Sequence, residues 1–136
     1  MNVVIIDAQG GGIGKQLVAA VKKELPEARV TAVGTNWAAT SAMLGAGADS
    51  GATGENAVIV ACRTADVILG PVGIVIADSL LGEISPAMAA AVGQSAAKRI
   101  LIPFDHCNNI IAGASVLPVG KRIRAAVEAL RALAAD

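Results

Sequence analysis

The chain has almost no aromatic side chains: no tyrosine, one phenylalanine (Phe104) and one tryptophan (Trp37) in 136 residues. Eleven basic residues are cancelled by eleven acidic ones. With neither a stacking platform nor a positive field, a nucleic-acid role is excluded as the leading reading. Histidine occurs once, at His106, and cysteine twice, at Cys62 and Cys107. That leaves no paired zinc spacing and no disulfide framework, so no metal site is expected. His106 and Cys107 follow Asp105, and as neighbours in extended chain their side chains point to opposite sides. A direct Cys–His catalytic pair is therefore disfavoured, and a polar turn is expected there.

Long apolar runs are also missing. The longest, around Val67 to Leu81, is broken by Gly70, Pro71, Gly73 and Asp78, and it falls short of the roughly 20 residues of a spanning helix. The segment Met1 to Asp7 has no positively charged leader, and its apolar run is too short for a signal sequence. The expectation is a cytoplasmic protein with no membrane partner, starting directly in a strand.

Charged residues make up only 16% of the chain and hydrophobic ones 54%, with a mean hydropathy of +0.63. That balance suits elements buried on both faces, or surfaces covered by other subunits. A homo-oligomer is expected, most simply a two-fold dimer. The length fits one compact domain over residues 1–136, with little room for a separate substrate domain.

Hydrophobic patterning predicts strands at Val3–Ile6, Arg29–Val33, Asp66–Leu69 and Arg99–Pro103, and an edge strand at Ile110–Ala114. Helices are predicted at Ile13–Glu24, Trp37–Leu44, Glu55–Thr64, Val72–Leu81, Pro86–Gln94 and Val119–Leu133. The β-branched centre of Gly54–Cys62 also suits a strand. Ser85 followed by Pro86 combines a capping hydroxyl with proline at the first helical position. The glycine-rich stretch from Gly45 to Gly54 reads as a connection. In the last helix, Lys121, Arg122, Arg124 and Arg131 are expected on the wet face, with Val127 and Leu130 buried.

Val- and Ile-rich strands alternating with helices predict an α/β three-layer sandwich with a mainly parallel sheet, Rossmann-like or flavodoxin-like. Ligands in such folds bind beyond the carboxyl ends of the strands. The candidate segments are those just after Ile6, Val33, Leu69 and Pro103.

After the first strand comes Asp7-Ala8-Gln9-Gly10-Gly11-Gly12-Ile13-Gly14-Lys15. Glycines between a strand and a helix let bare backbone N–H groups approach an anion that the helix dipole favours. The loop is not an intact Walker A, because Gln9 and Gln16 stand where glycine and the magnesium-binding hydroxyl belong. Gly11-Gly12-Ile13-Gly14-Lys15 resembles the deviant Walker loop of partitioning ATPases, but Gly10 takes the place of its signature lysine.

The loop resembles more closely that of short-chain dehydrogenases, matched at Gly11, Gly12, Ile13 and Gly14. Gly73 and Ile74 match the end of that family's Asn-Asn-Ala-Gly-Ile strand, while Gly70 and Pro71 replace its asparagines. The resemblance implies a nucleotide site and leaves NAD, NADP or a mononucleotide open. Its tyrosine-dependent proton transfer does not carry over to a chain without tyrosine. The acidic residue expected after the second strand is replaced by Gly34-Thr35-Asn36, which makes Thr35, Asn36, Thr40 and Ser41 the ribose candidates.

A broader resemblance is to a short bacterial family of unknown function marked by a GGGIGK sequence. It rests on Gly10 to Lys15, Gly34-Thr35-Asn36, Gly51 to Asn56, Gly70 to Ile74, Gly82-Glu83-Ile84-Ser85-Pro86 and Leu101-Ile102-Pro103. It implies kinship and no reaction.

The expected ligand-binding residues are Gln9, Gly10, Gly11, Gly12, Ile13, Gly14, Lys15, Thr35, Asn36, Gly70, Pro71 and Gly73. The expected ligand is a nucleotide or dinucleotide, NAD(P) or another, bound by a sensor or accessory protein. The alternatives are a small enzyme acting on a phosphorylated or nucleotide substrate, with Asp78, Glu83 or Asn108 supplying polar groups, and a structural homo-oligomer without a ligand.

Overall fold

A computed structural model describes residues 1–104, 108–114 and 117–136. The polar turn expected around His106 and Cys107 lies outside them. Five strands, β1 (Asn2–Asp7), β2 (Arg29–Gly34), β3 (Ser50–Thr53), β4 (Val67–Pro71) and β5 (Lys98–Ile102), form one sheet in the order β3-β2-β1-β4-β5. Every pairing is parallel. The helices are α1 (Gly12–Glu24), α2 (Trp37–Gly45), α3 (Glu55–Thr64), α4 (Pro86–Gln94) and α5 (Val119–Ala134). No helix among the described residues is long and apolar enough to cross a membrane.

Alternation along β1 explains the three layers. Val3 and Ile5 face a core shared with Leu17, Val18 and Val21 of α1, Met43 of α2 and Val127 and Leu130 of α5. Val4 and Ile6 face a second core with Val58 and Cys62 of α3 and Met88 and Val92 of α4. The chain steps outward from β1 to β3 and then returns to lay β4 beside β1. The β1/β4 boundary is therefore the topological switch point, where a crevice opens at the carboxyl ends of the strands.

Three expected elements differ. Ser50–Thr53 is an edge strand, not a connection, and is held to β2 in the register Thr31↔Ser50 to Gly34↔Thr53. Three of its four residues are exposed, so it carries none of the Val/Ile signal of a buried strand. The helix expected over Val72–Leu81 shrinks to a single 3-10 turn, Val72–Val75. Beyond it Asp78, Leu80, Leu81 and Gly82 adopt left-handed backbone, with φ of 64, 55, 57 and 84°. The Asp78 N–H donates to the Ile84 carbonyl at 2.7 Å and closes a loop where a helix would have run straight. The β-branched run Val72, Ile74, Val75, Ile76 favours that outcome, because each loses rotamer freedom in a helix. The expected strand Ile110–Ala114 belongs to no ladder and contains a turn closed by Ala114 N–H to the Ile111 carbonyl. Ile110 is 87% exposed, so that segment has no buried face to pay for strand pairing.

Candidate functional site

Asp7, the last residue of β1, is buried beneath the loop that follows it. Its Oδ1 accepts the Ala8 N–H at 2.8 Å and its Oδ2 the Gly14 N–H at 2.7 Å. Helix α1 has no side-chain cap of its own, so Asp7 does that work from the strand. Burial pushes the Asp7 carboxyl above the usual range, against the N–H bonds of Gly14, Ala8 and Ile13; the negative charge of Glu83 adds to the rise.

The loop glycines divide into two kinds. Gly11 has φ +71°, and a Cβ there would lie 2.9 Å from the Ala39 Cα; a Cβ on Gly14 would lie 2.8 Å from the Asp7 Cβ. Both are required by packing. Gly10 and Gly12 are exposed, with open space where a Cβ would stand. Their N–H groups have no partner among the described residues.

These two glycines line a cleft of about 370 Å³ at the switch point. The same cleft is bounded by Asp7, Ala8, Gln9, Gly11, Ile13 and Gln16 on one side and by Pro71, Leu80, Phe104 and Val119 on the other. Its volume is in the range of small-molecule sites. One wall is polar backbone and the other apolar. Beneath Phe104, the Arg122 guanidinium stacks 5.0 Å from the ring centroid and donates to the Pro103 carbonyl at 2.8 Å. Arg122 is thus half-buried under the ring, where a place on the wet face of α5 was expected; Lys121, Arg124 and Arg131 are exposed.

Of the expected binding residues, Gln9, Gly10, Gly11, Gly12, Ile13 and Pro71 line this cleft, while Gly14, Lys15, Thr35, Asn36, Gly70 and Gly73 do not. Lys15 is exposed on α1. A Cβ on Gly70 would collide with the Ile6 carbonyl oxygen, so that glycine serves the close approach of β4 to β1. Gly73 faces a separate void of only about 10 Å³. Leu80, Phe104 and Val119 come from three distant segments with no shared sequence signal. Only the place of Phe104 after β5 points to the cleft.

Thr35 and Asn36 do something else. The Thr35 hydroxyl and the Asn36 amide each donate to Glu83 Oε1 at 2.7 Å, and the Gln9 N–H donates to the same oxygen at 3.0 Å. Asn36 also donates to the Gln9 carbonyl at 3.0 Å and caps α2 by accepting the Ala39 N–H at 2.9 Å. Glu83 thereby ties together the segments after β1, β2 and β4. It also fixes Gln9 in a left-handed conformation, φ 52°. Burial pulls the Glu83 carboxyl upward, but the bonds from Thr35, Gln9 and Asn36 outweigh it and hold the group below the ordinary glutamate value.

The solved structures to which the chain is similar include the following two. One is a dodecameric FMN-dependent Ubix-like decarboxylase from Escherichia coli O157:H7, with 20% identity, 96% of this chain and 76% of that chain covered, and a TM-score of 0.49. The other is an FMN-dependent cysteine decarboxylase, TvaF, from thioviridamide biosynthesis, with 12% identity, 96% and 86% covered, and a TM-score of 0.47. No curated protein matches the chain. The family assignment is firm by contrast: the profile of a domain of unknown function, DUF3842, matches residues 2–135, and the chain belongs to that family.

Proposed function

We propose that this protein binds a nucleotide, and a dinucleotide in preference to a triphosphate, in the switch-point cleft. The observation that carries the reading is the pair Gly10 and Gly12. Packing does not require either to be glycine, yet both line a cleft at the N-terminus of a 13-residue helix, and neither N–H has a partner among the described residues. A pyrophosphate there would meet bare backbone donors and the positive end of the helix dipole. A ring would lie against Pro71, Leu80 and Phe104.

Charge argues for the dinucleotide. No lysine or arginine among the described residues lines the cleft; Asp7 lines it, and Glu83 is bonded to its lining residue Gln9. A triphosphate, with its higher charge, would find no cation to neutralise it. Among the described residues Asp7 is the ionisable side chain in the lining, and both its oxygens are occupied. A carboxylate committed in this way to the start of α1 favours a sensor or accessory protein. Exposed Trp37, Leu81 and Ile110, at 67, 90 and 87%, support self-association.

Calorimetric titration with NAD(H), NADP(H), FAD, ATP and GTP tests the reading. Saturable binding that is lost in Gly12→Val, with unchanged thermal unfolding, is the expected result. No binding by any of them, or equal binding by the variant, would overturn it.

A further inference from the structure

A Rossmann site that reads an unmodified ribose places a carboxylate at the end of its second strand, where it accepts the 2′-hydroxyl. Here β2 ends in Gly34 and is followed by Thr35 and Asn36, neither of them acidic. Both, however, direct their side-chain donors to one oxygen of Glu83, 48 and 47 residues further on. A carboxylate therefore stands at the end of β2 after all, delivered by the loop between β4 and α4.

Its two oxygens are used unequally. Oε1 takes all three hydrogen bonds. Oε2 takes none from the described residues and is not among their buried, unpartnered atoms. The bond from Gln9 N–H sets the carboxylate next to a residue that lines the cleft. The left-handed loop Asp78–Gly82 holds Glu83 in place, with Leu80 in the cleft wall.

We propose that Glu83 Oε2 accepts the ribose hydroxyls of the bound nucleotide. Glu83 is then the residue that selects a free 2′,3′-diol and rejects a 2′-phosphate. Rejection follows from like charge, because a 2′-phosphate would face a carboxylate on which no cation among the described residues acts. Discrimination against a 2′-deoxy ligand follows from the lost hydrogen bond to a charged acceptor. The inference rests on nucleotide binding in the cleft, and it adds which sugar is accepted and by which atom.

The test is calorimetry with three matched pairs, NAD with NADP, ATP with 2′-deoxy-ATP, and GTP with 2′-deoxy-GTP, on wild type, Glu83→Gln and Gly12→Val. Glu83→Gln keeps an oxygen for Thr35, Asn36 and Gln9, and its thermal unfolding is followed alongside. Wild type should prefer the free diol by about ten- to a hundredfold. Glu83→Gln should lose most of the preference against NADP. Equal affinities within every pair, or a preference unchanged in Glu83→Gln, overturn the role of Glu83 while binding that is lost in Gly12→Val upholds the cleft. Absence of binding by all six ligands overturns both.

Discussion

The Thr35 hydroxyl donates to Glu83 Oε1 at 2.7 Å across 48 residues of sequence. With Asn36 and Gln9 on the same oxygen, that bond joins three loops into one platform beside the glycine turn. The pair should be coupled energetically. In a double-mutant cycle, Thr35→Val and Glu83→Ala, which removes the accepting oxygen, are expected to be non-additive by about 0.5–2 kcal/mol in urea unfolding. Additive losses would mean that the bond contributes nothing.

The glycines of the loop should separate by stability. Gly11→Ala puts a side chain on left-handed backbone against the Ala39 Cα, and a loss of about 2 kcal/mol or more is expected. Gly70→Ala, directed at the Ile6 carbonyl, should lose a similar amount. Gly10→Ala and Gly12→Ala should stay within about 1 kcal/mol of wild type, since open space surrounds both positions. Denaturant midpoints for the four variants check the division.

The two carboxyls should pull stability in opposite directions with pH. Asp7 has a folded-state pKa raised from 3.8. Its contribution is greatest below 3.8 and falls as pH rises through the folded value, so the stability of wild type relative to Asp7→Asn should decline over that window. Glu83 has a folded-state pKa lowered from 4.5. Its contribution is complete above 4.5 and is lost as pH falls through the folded value, so wild type should lose its advantage over Glu83→Gln on acidification. Unfolding of the three proteins between about pH 3 and pH 7 reads both slopes.

Arg122 should matter through the ring it supports. Arg122→Ala removes the stack on Phe104 and the bond to the Pro103 carbonyl, and a destabilisation of about 1–2 kcal/mol is expected. Arg122→Lys keeps the charge but not the planar guanidinium, and should recover only part of the loss.

Leu81 combines φ 57° with 90% exposure. Leu81→Asn suits left-handed backbone better and should raise monomer stability by about 1 kcal/mol while weakening self-association. Sedimentation velocity and thermal unfolding on the same samples separate the two effects.

Much of the architecture was legible because buried parallel strands advertise themselves. Val3–Ile6 and the paired Ser85-Pro86 start of α4 are local signals strong enough to survive folding. Ser50–Thr53 was not legible, because an exposed edge strand has no apolar face to show. The loop after Val72–Val75 was hidden because its left-handed residues include Leu80 and Leu81, which turn propensities do not mark. At the site, Gln9–Ile13 and Pro71 could be named from the strand ends. The joining of Thr35 and Asn36 to Glu83 could not, since it depends on a contact spanning nearly 50 residues.

The central claim is that the N–H groups of Gly10 and Gly12 receive the ligand, and amide NMR during titration with NAD tests it most directly. Saturable shifts of the Gly10 and Gly12 resonances, larger than those in the groove between β5 and α5 around Ile100 and Ala114, are the predicted result. Saturable shifts confined to that groove, or none at millimolar NAD, would contradict it.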